Sequence, residues 1–128
     1  MPTTARLMLQ VAAALIAFGG LYDLLAPKLP PNLIAICSEN QSVQKLAREL
    51  LRALGGSLIA IGTAVGFLAN GFGLHASQQA LLLILVLVLP SEGINSVCMY
   101  RVGSPFYIPL FFLALTLLGV LLAWPAAQ

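Results

Sequence analysis

The sequence predicts an all-α, polytopic membrane protein, a single domain of four transmembrane helices in an antiparallel bundle. Three observations carry that prediction. Of the 128 residues 60% are hydrophobic and only 8% are charged, against about 25% charged in soluble domains. A soluble fold of this size has too few polar residues here to cover its surface, which excludes a water-soluble enzyme domain, a coiled coil and a disordered tail. Four apolar stretches also approach the length of about 20 residues needed to cross roughly 30 Å of hydrocarbon. None alternates with a period of two, as barrel strands do, and helices satisfy their own backbone groups in lipid.

The first span covers about 7–25 and closes at Tyr22, Asp23 and Pro27. Arg6 in front of an apolar run resembles a signal peptide. The length of that run, and the lack of a small-x-small cleavage site behind it, favour a retained helix. Pro27, Pro30 and Pro31 stop this helix and stiffen a long first loop. Within the loop, Leu33–Cys37 is a short apolar patch suited to the headgroup layer. The second span covers about 47–69. Its uncharged part is Ala53–Ala69, its polar lead-in starts near Val43, and Ser42 is the expected N-cap. Asn70-Gly71 and Gly73 supply turn chemistry, with His75 as a solvated loop residue. The third span covers about 80–99 and contains Pro90, which is expected to kink it. The very short Gly103-Ser104-Pro105 link makes the fourth span, about 106–124, an antiparallel neighbour of the third.

Charge sets the expected orientation. Lys28, Lys45, Arg48, Arg52 and Arg101 fall on the side of the first and third loops, and Arg6 alone falls on the other. The positive-inside rule then puts loops one and three in the cytoplasm and both termini outside, in what reads as a bacterial inner membrane. Tyr22, Tyr100 and Tyr107 suit a cytoplasmic aromatic belt, and Trp124 suits the outer one. Cys37 and Cys98 lie on the reducing side in this topology and are expected as free thiols, whether or not they meet in space.

All four acids, Asp23, Glu39, Glu49 and Glu92, lie toward the same side. A charge at the centre of a membrane helix costs about 2.5–3.5 kcal/mol, so such groups face the bundle interior and take partners. Glu92 is the deepest of them, and Asn95, Ser96 and Met99 share its helix face. It reads either as a proton carrier or ligand anchor in a pocket wall, or as half of a packing ion pair with an arginine. In the second span Arg48, Arg52, Gly55, Ile59, Gly62 and Gly66 form one seam. Gly62-x-x-x-Gly66 allows a second helix close approach, and Arg52 is expected to pair with Asp23 or Glu92. Arg48 reaches the headgroups or Glu92, unless both arginines are ordinary interfacial anchors. Lys45 and Glu49 are spaced for a solvated pair along the helix. Ala12, Ile16, Gly19 and Asp23 form the matching seam of the first span, expected to dock on the glycine face. The charge cluster is thus Asp23, Arg48, Arg52, Glu92, Asn95 and Arg101. The packing set is Gly19, Gly55, Gly62 and Gly66, and Glu92 is the one candidate for a catalytic role.

Leu21-Tyr22-Asp23-Leu24-Leu25-Ala26-Pro27, Leu51-Arg52-Ala53-Leu54-Gly55-Gly56-Ser57-Leu58 and Pro90-Ser91-Glu92-Gly93-Ile94-Asn95 together resemble the DoxX-like small bacterial four-helix membrane proteins. The resemblance implies a four-helix inner-membrane bundle. Members of that family differ in function, so it carries over no catalytic residue.

No nucleotide, phosphate-cradle or metal signature is present, and six cations do not make a nucleic-acid surface. The cofactor stays unknown, and the expected partners are membrane lipids with other membrane subunits or a second copy. The first functional reading is a non-catalytic accessory subunit of a larger membrane complex. The alternative is a small enzyme or binding protein for a lipid-like, quinone-like molecule, held in a pocket of Glu92, Asn95 and Arg52. A small dimeric transporter is the third.

Overall fold

A computed structural model describes residues 3–26, 28–70 and 78–126. Among these residues all regular structure is helical: α1 (Thr3–Leu25), α2 (Pro31–Cys37), α3 (Gln41–Asn70), α4 (Gln78–Arg101), α5 (Tyr107–Ala123) and a 3-10 turn, Trp124–Ala126. Helices α1, α3 and α4 are long and apolar enough to cross a membrane. At 17 residues, α5 is apolar but about 26 Å long, short of that length by itself.

The four long helices follow the predicted spans, with α3 starting earlier than its span. At 30 residues α3 is about 45 Å long. Its first three turns carry Lys45, Arg48, Glu49 and Arg52 and project beyond the apolar part. The N-cap is Asn40 rather than Ser42: its Oδ1 accepts from the backbone N–H groups of Ser42 (3.1 Å) and Val43 (3.2 Å). An Asn side chain just ahead of the helix reaches the second and third helical amides, whereas Ser42 is already inside the first turn. Pro90 lies within an unbroken α4. The Ser91 hydroxyl beside it donates to the carbonyls of Leu87 (2.7 Å) and Val88 (3.2 Å) in the turn that the proline ring disturbs. Helix α4 ends in a Schellman motif. Gly103 takes φ +76°, its N–H donates to the Tyr100 carbonyl, and that of Ser104 donates to Met99.

The apolar patch predicted at Leu33–Cys37 forms the two-turn helix α2. None of its residues is buried, and Ile34 and Ile36 point outward. Asn32 ties it down by donating from Nδ2 to the Val102 carbonyl (3.1 Å) and to Ser104 Oγ (2.7 Å). The first and third loops therefore meet at one end of the bundle.

The packing order around the bundle is α1, α3, α4, α5 and back to α1. In α1 and α3 the pairs Gly20–Gly55, Ala13–Gly62 and Gln10–Asn70 run in opposite directions, so the two helices are antiparallel. The Leu9 side chain lies over Gly119 while Gly19 faces Phe112, which makes α1 and α5 antiparallel as well. The N-terminal end of α1 and the C-terminal end of α5 thus share the end opposite α2. Leu9 and Ile16, Leu58 and Val65, Leu81, Ile84 and Val88, and Val120 fill the core between the four helices.

Of the expected seam of Ala12, Ile16, Gly19 and Asp23, Asp23 meets α3 at Gly55, but the close contacts otherwise run one residue further along. Ala13, Ala17 and Gly20 meet α3, while Gly19 turns to α5, with a Cβ there 3.6 Å from the Phe112 ring. One residue is a rotation of about 100° on a helix, and α1 is apolar on every side, so its composition does not mark the contact face. The predicted 70–77 turn and His75 lie outside the described residues, Asn70 excepted, as does Pro27.

Candidate functional site

Three features distinguish this bundle from a plain packed one: a buried acid, a close glycine contact between α1 and α3, and an open trough on the outer surface.

Glu92 faces inward because it continues the buried stripe of α4 formed by Leu81, Ile84 and Val88, and Ser96 extends it by another turn. Its residue exposure is 1%, and Oε1 is the one buried side-chain polar atom among the described residues with no hydrogen-bond partner. Asn95, one turn further along α4, is half-buried. The Ser96 hydroxyl is used elsewhere, donating to the Phe106 carbonyl (3.2 Å), where it fastens the α4–α5 turn. Asp23 is half-buried and stands next to Gly55, whose absent side chain leaves room for it: a Cβ there would lie 3.2 Å from that of Asp23.

The expected arginine partner is not part of this group. Arg52 Nη1 donates to Glu49 Oε1 at 2.7 Å, on a half-exposed stretch of α3 outside the bundle. An i,i+3 pair needs only local helix geometry, whereas reaching Glu92 requires the guanidinium to be stripped of water. Glu49 therefore pairs with Arg52, and neither Asp23 nor Glu92 has a salt-bridge partner among the described residues. Arg48 is half-buried on the same helix end. Arg101 is exposed in the last turn of α4, about two and a half turns beyond Glu92, where a cation complements the helix dipole. Of the six residues in the predicted cluster, Glu92 is buried, Asp23, Arg48, Arg52 and Asn95 are half-buried, and Arg101 is exposed. Cys37 and Cys98 are free thiols, the first half-buried and the second exposed.

The second feature is the near-contact of the α1 and α3 backbones. A Cβ on Gly20 would lie 2.5 Å from the Gly55 carbonyl oxygen, and one on Gly62 would lie 2.7 Å from that of Ala13. Gly66, the other half of the Gly-x-x-x-Gly pattern, is looser, since its Cβ would make an ordinary 3.8 Å contact with Ala13. Spacing does not single out Gly20 and Ala17, which pack against Gly55 and Gly62. Their signal in the sequence is the small-residue run itself, which offers two adjacent faces.

The third feature is a trough of about 360 Å³ on the outer surface between α1 and α3. Ala13, Ala14, Ala17, Gly62 and Gly66 form its floor and walls, with Thr63 on one side. Gln10 and Asn70 close one end, the Gln10 amide donating to the Asn70 side-chain oxygen. A second shallow cavity of about 380 Å³ lies over Phe18, Leu21, Tyr22, Leu25 and Ala26. Neither is lined by Glu92, Asn95 or Arg52.

Compared with protein families, with curated proteins and with solved structures, the chain matches none.

Proposed function

We propose that this chain is a four-spanning inner-membrane protein that acts as a non-catalytic accessory subunit of a larger membrane complex, receiving a partner's transmembrane helix in the trough between α1 and α3. The trough itself carries the reading. In lipid, helices associate through close packing rather than through hydrophobic exclusion, and small residues are what allow it. An open groove floored by Ala13, Ala17, Gly62 and Gly66 offers that packing, and the Gln10–Asn70 amides at its end offer hydrogen bonds to a polar side chain of the partner. In this reading α5 also spans, lengthened by its 3-10 turn. The end carrying α2 faces the cytoplasm by its excess of Lys and Arg. The resemblance to DoxX-like proteins supports the architecture only.

Filling the trough tests the proposal. Gly66→Leu and Ala14→Leu add bulk to it, Ala14 from an exposed position and Gly66 from one where a Cβ fits. The expected result is a folded protein that no longer co-purifies or crosslinks with the complex retained by the native chain in mild detergent. Unchanged co-purification of both variants, or a native protein that is sharply monomeric with no crosslinked neighbour, overturns it. The alternative, a quinone-like ligand bound by Glu92, Asn95 and Arg52, needs a cavity common to all three. A dimeric transporter needs its acid near the middle of the first span, whereas Asp23 stands near the end of α1.

A further inference from the structure

Helix α3 is longer than a bilayer is thick, and its excess is apolar along one side. Its 30 residues run unbroken for about 45 Å, whereas the hydrocarbon layer is about 30 Å deep. The uncharged stretch begins at Ala53. Leu50, Leu46 and Val43 lie about 4, 10 and 15 Å before it along the axis. Their spacing of four and three puts them on one stripe, and they are 62%, 59% and 43% exposed. Lys45, Arg48, Glu49 and Arg52 point in the other directions of the same turns. Bare leucines facing lipid tails are ordinary, but beyond the hydrocarbon water disfavours them. The membrane surface does not cover this stripe, because it runs along the axis of a helix that stands antiparallel to α1 within the bundle. Nor does α2 cover it, whose own Ile34 and Ile36 are exposed. What fits is a second helix that leaves the membrane on the same side, reaches the same height and is apolar there. A second copy, inserted the same way round and related by a two-fold axis normal to the membrane, meets all three conditions by symmetry.

We propose that two copies of this chain pair in parallel through the outer face of α3, anchored by Val43, Leu46 and Leu50 outside the hydrocarbon. The stripe continues into the membrane in the same heptad phase with Ala53, Ser57 and Ala60, all exposed and all small, so the paired helices can stay close where lipid surrounds them. The Ser57 hydroxyl donates to the Ala53 carbonyl of its own helix (3.1 Å) and brings no unmet donor to the contact. The flanks carry no like-charge clash. One flank is Ala47 and Leu54. The other is Glu49, already held by Arg52 of its own chain at 2.7 Å. In a parallel pair opposite flanks meet, so Glu49 faces the apolar flank of the second copy rather than another Glu49. The pairing rests on α3 spanning the membrane, as proposed above. It leaves the trough free, because Thr63, Gly66 and Asn70 lie roughly a third of a turn away around α3.

The test uses the whole chain with Cys37→Ser and Cys98→Ser, given one new cysteine at a time and treated in native membranes with a short bifunctional maleimide. Leu46→Cys and Leu50→Cys are expected to yield a product of twice the chain mass. Lys45→Cys, at the same depth on another face, is expected to yield none. The trough variants Gly66→Leu and Ala14→Leu are expected to keep the crosslink. A second variant, Leu46→Glu combined with Leu50→Glu, sets like charges against each other across the pair, at positions that are exposed in a single copy. By light scattering in mild detergent the native chain is expected as a dimer and this variant as a monomer, with helicity unchanged by circular dichroism. Equal crosslinking at Lys45→Cys, a product joined to a different protein, or a variant of unchanged mass overturns the pairing. Alkaline carbonate extraction of the same membranes separates the two readings. A chain released by carbonate overturns the spanning reading and the pairing together, and an integral chain with no crosslink at either leucine position overturns the pairing alone.

Discussion

Gly20 of α1 and Gly55 of α3 face each other so closely that neither position has room for a Cβ. One on Gly20 would lie 2.5 Å from the Gly55 carbonyl oxygen and 2.8 Å from the Leu58 Cβ, and one on Gly55 would meet the Gly20 carbonyl and lie 2.7 Å from the Leu24 amide nitrogen. The obstacles are mostly backbone atoms, which cannot rotate aside. Gly20→Ala and Gly55→Ala are expected to destabilise the bundle by about 1–3 kcal/mol each, the usual cost of overpacking. Gly56 has nothing within 4 Å of its would-be Cβ. Gly56→Ala is therefore expected to be neutral, or stabilising by up to about 1 kcal/mol, through helix propensity. Reversible unfolding in detergent micelles measures all three, and a Gly55→Ala protein as stable as Gly56→Ala would sink the assignment.

The same contact separates the two glycines of the Gly62-x-x-x-Gly66 pattern. Gly62→Ala pushes against the backbone of Ala13 and Ala17, whereas Gly66→Ala makes only a 3.8 Å contact. In one unfolding series Gly62→Ala is expected to lose about 1–3 kcal/mol and Gly66→Ala less than 1. Equal losses would mean that α1 and α3 cross elsewhere.

Asn32 is the fastener between the two loops at the charged end, through its bonds to Val102 and Ser104. Asn32→Ala removes both, at a local cost of about 1–3 kcal/mol. Since α2 buries no residue of its own, the loss is expected to appear as faster amide exchange in residues 31–37 while the long helices keep their protection. Exchange unchanged in that segment would assign its position to something other than Asn32.

Asn40, and not Ser42, is expected to control the start of α3. Asn40→Ala loses two backbone bonds and about 0.5–2 kcal/mol, read as fraying of the first turn by amide exchange. Ser42→Ala is expected to leave that turn unchanged, and the reverse order would restore Ser42 as the cap.

Sidedness is open to a chemical test through Cys37, which lies in α2 at the end bearing most of the bases. In a Cys98→Ser background, a membrane-impermeant maleimide is expected to label Cys37 in inside-out vesicles and not in intact spheroplasts. Labelling in spheroplasts alone would invert the orientation.

Several features of the site were legible in the residues. Glu92, Ser96 and Asn95 share a face by spacing alone, and Glu92 and Ser96 continue the buried stripe of α4. The spacing of Gly55 and Gly62 marks a close-approach seam without the partner being known. What spacing could not give is the far side of each contact. Arg52 has an acid three residues away and two others across the bundle, and only the folded arrangement shows that the local one holds it. The helix α5, most of α1 and the first half of α4 are apolar all round. In lipid the outside of a helix is as greasy as its inside, so the periodicity that marks a buried face in a soluble protein is absent.

The sequence by itself determined that the chain is helical and membrane-like in composition. It also determined where the long helices run, and that nearly all ionised groups gather toward one end, because these depend on composition, span length and turn chemistry. The tertiary structure alone decided that Gly20 rather than Gly19 meets Gly55, that Asn40 caps α3, and that Glu92 is sealed in the interior while Arg52 is held by Glu49. The glycine contact and the burial of Glu92 depend on the rotation of one helix against another. That rotation is fixed by side-chain volume at a few close contacts, which no one-dimensional pattern encodes.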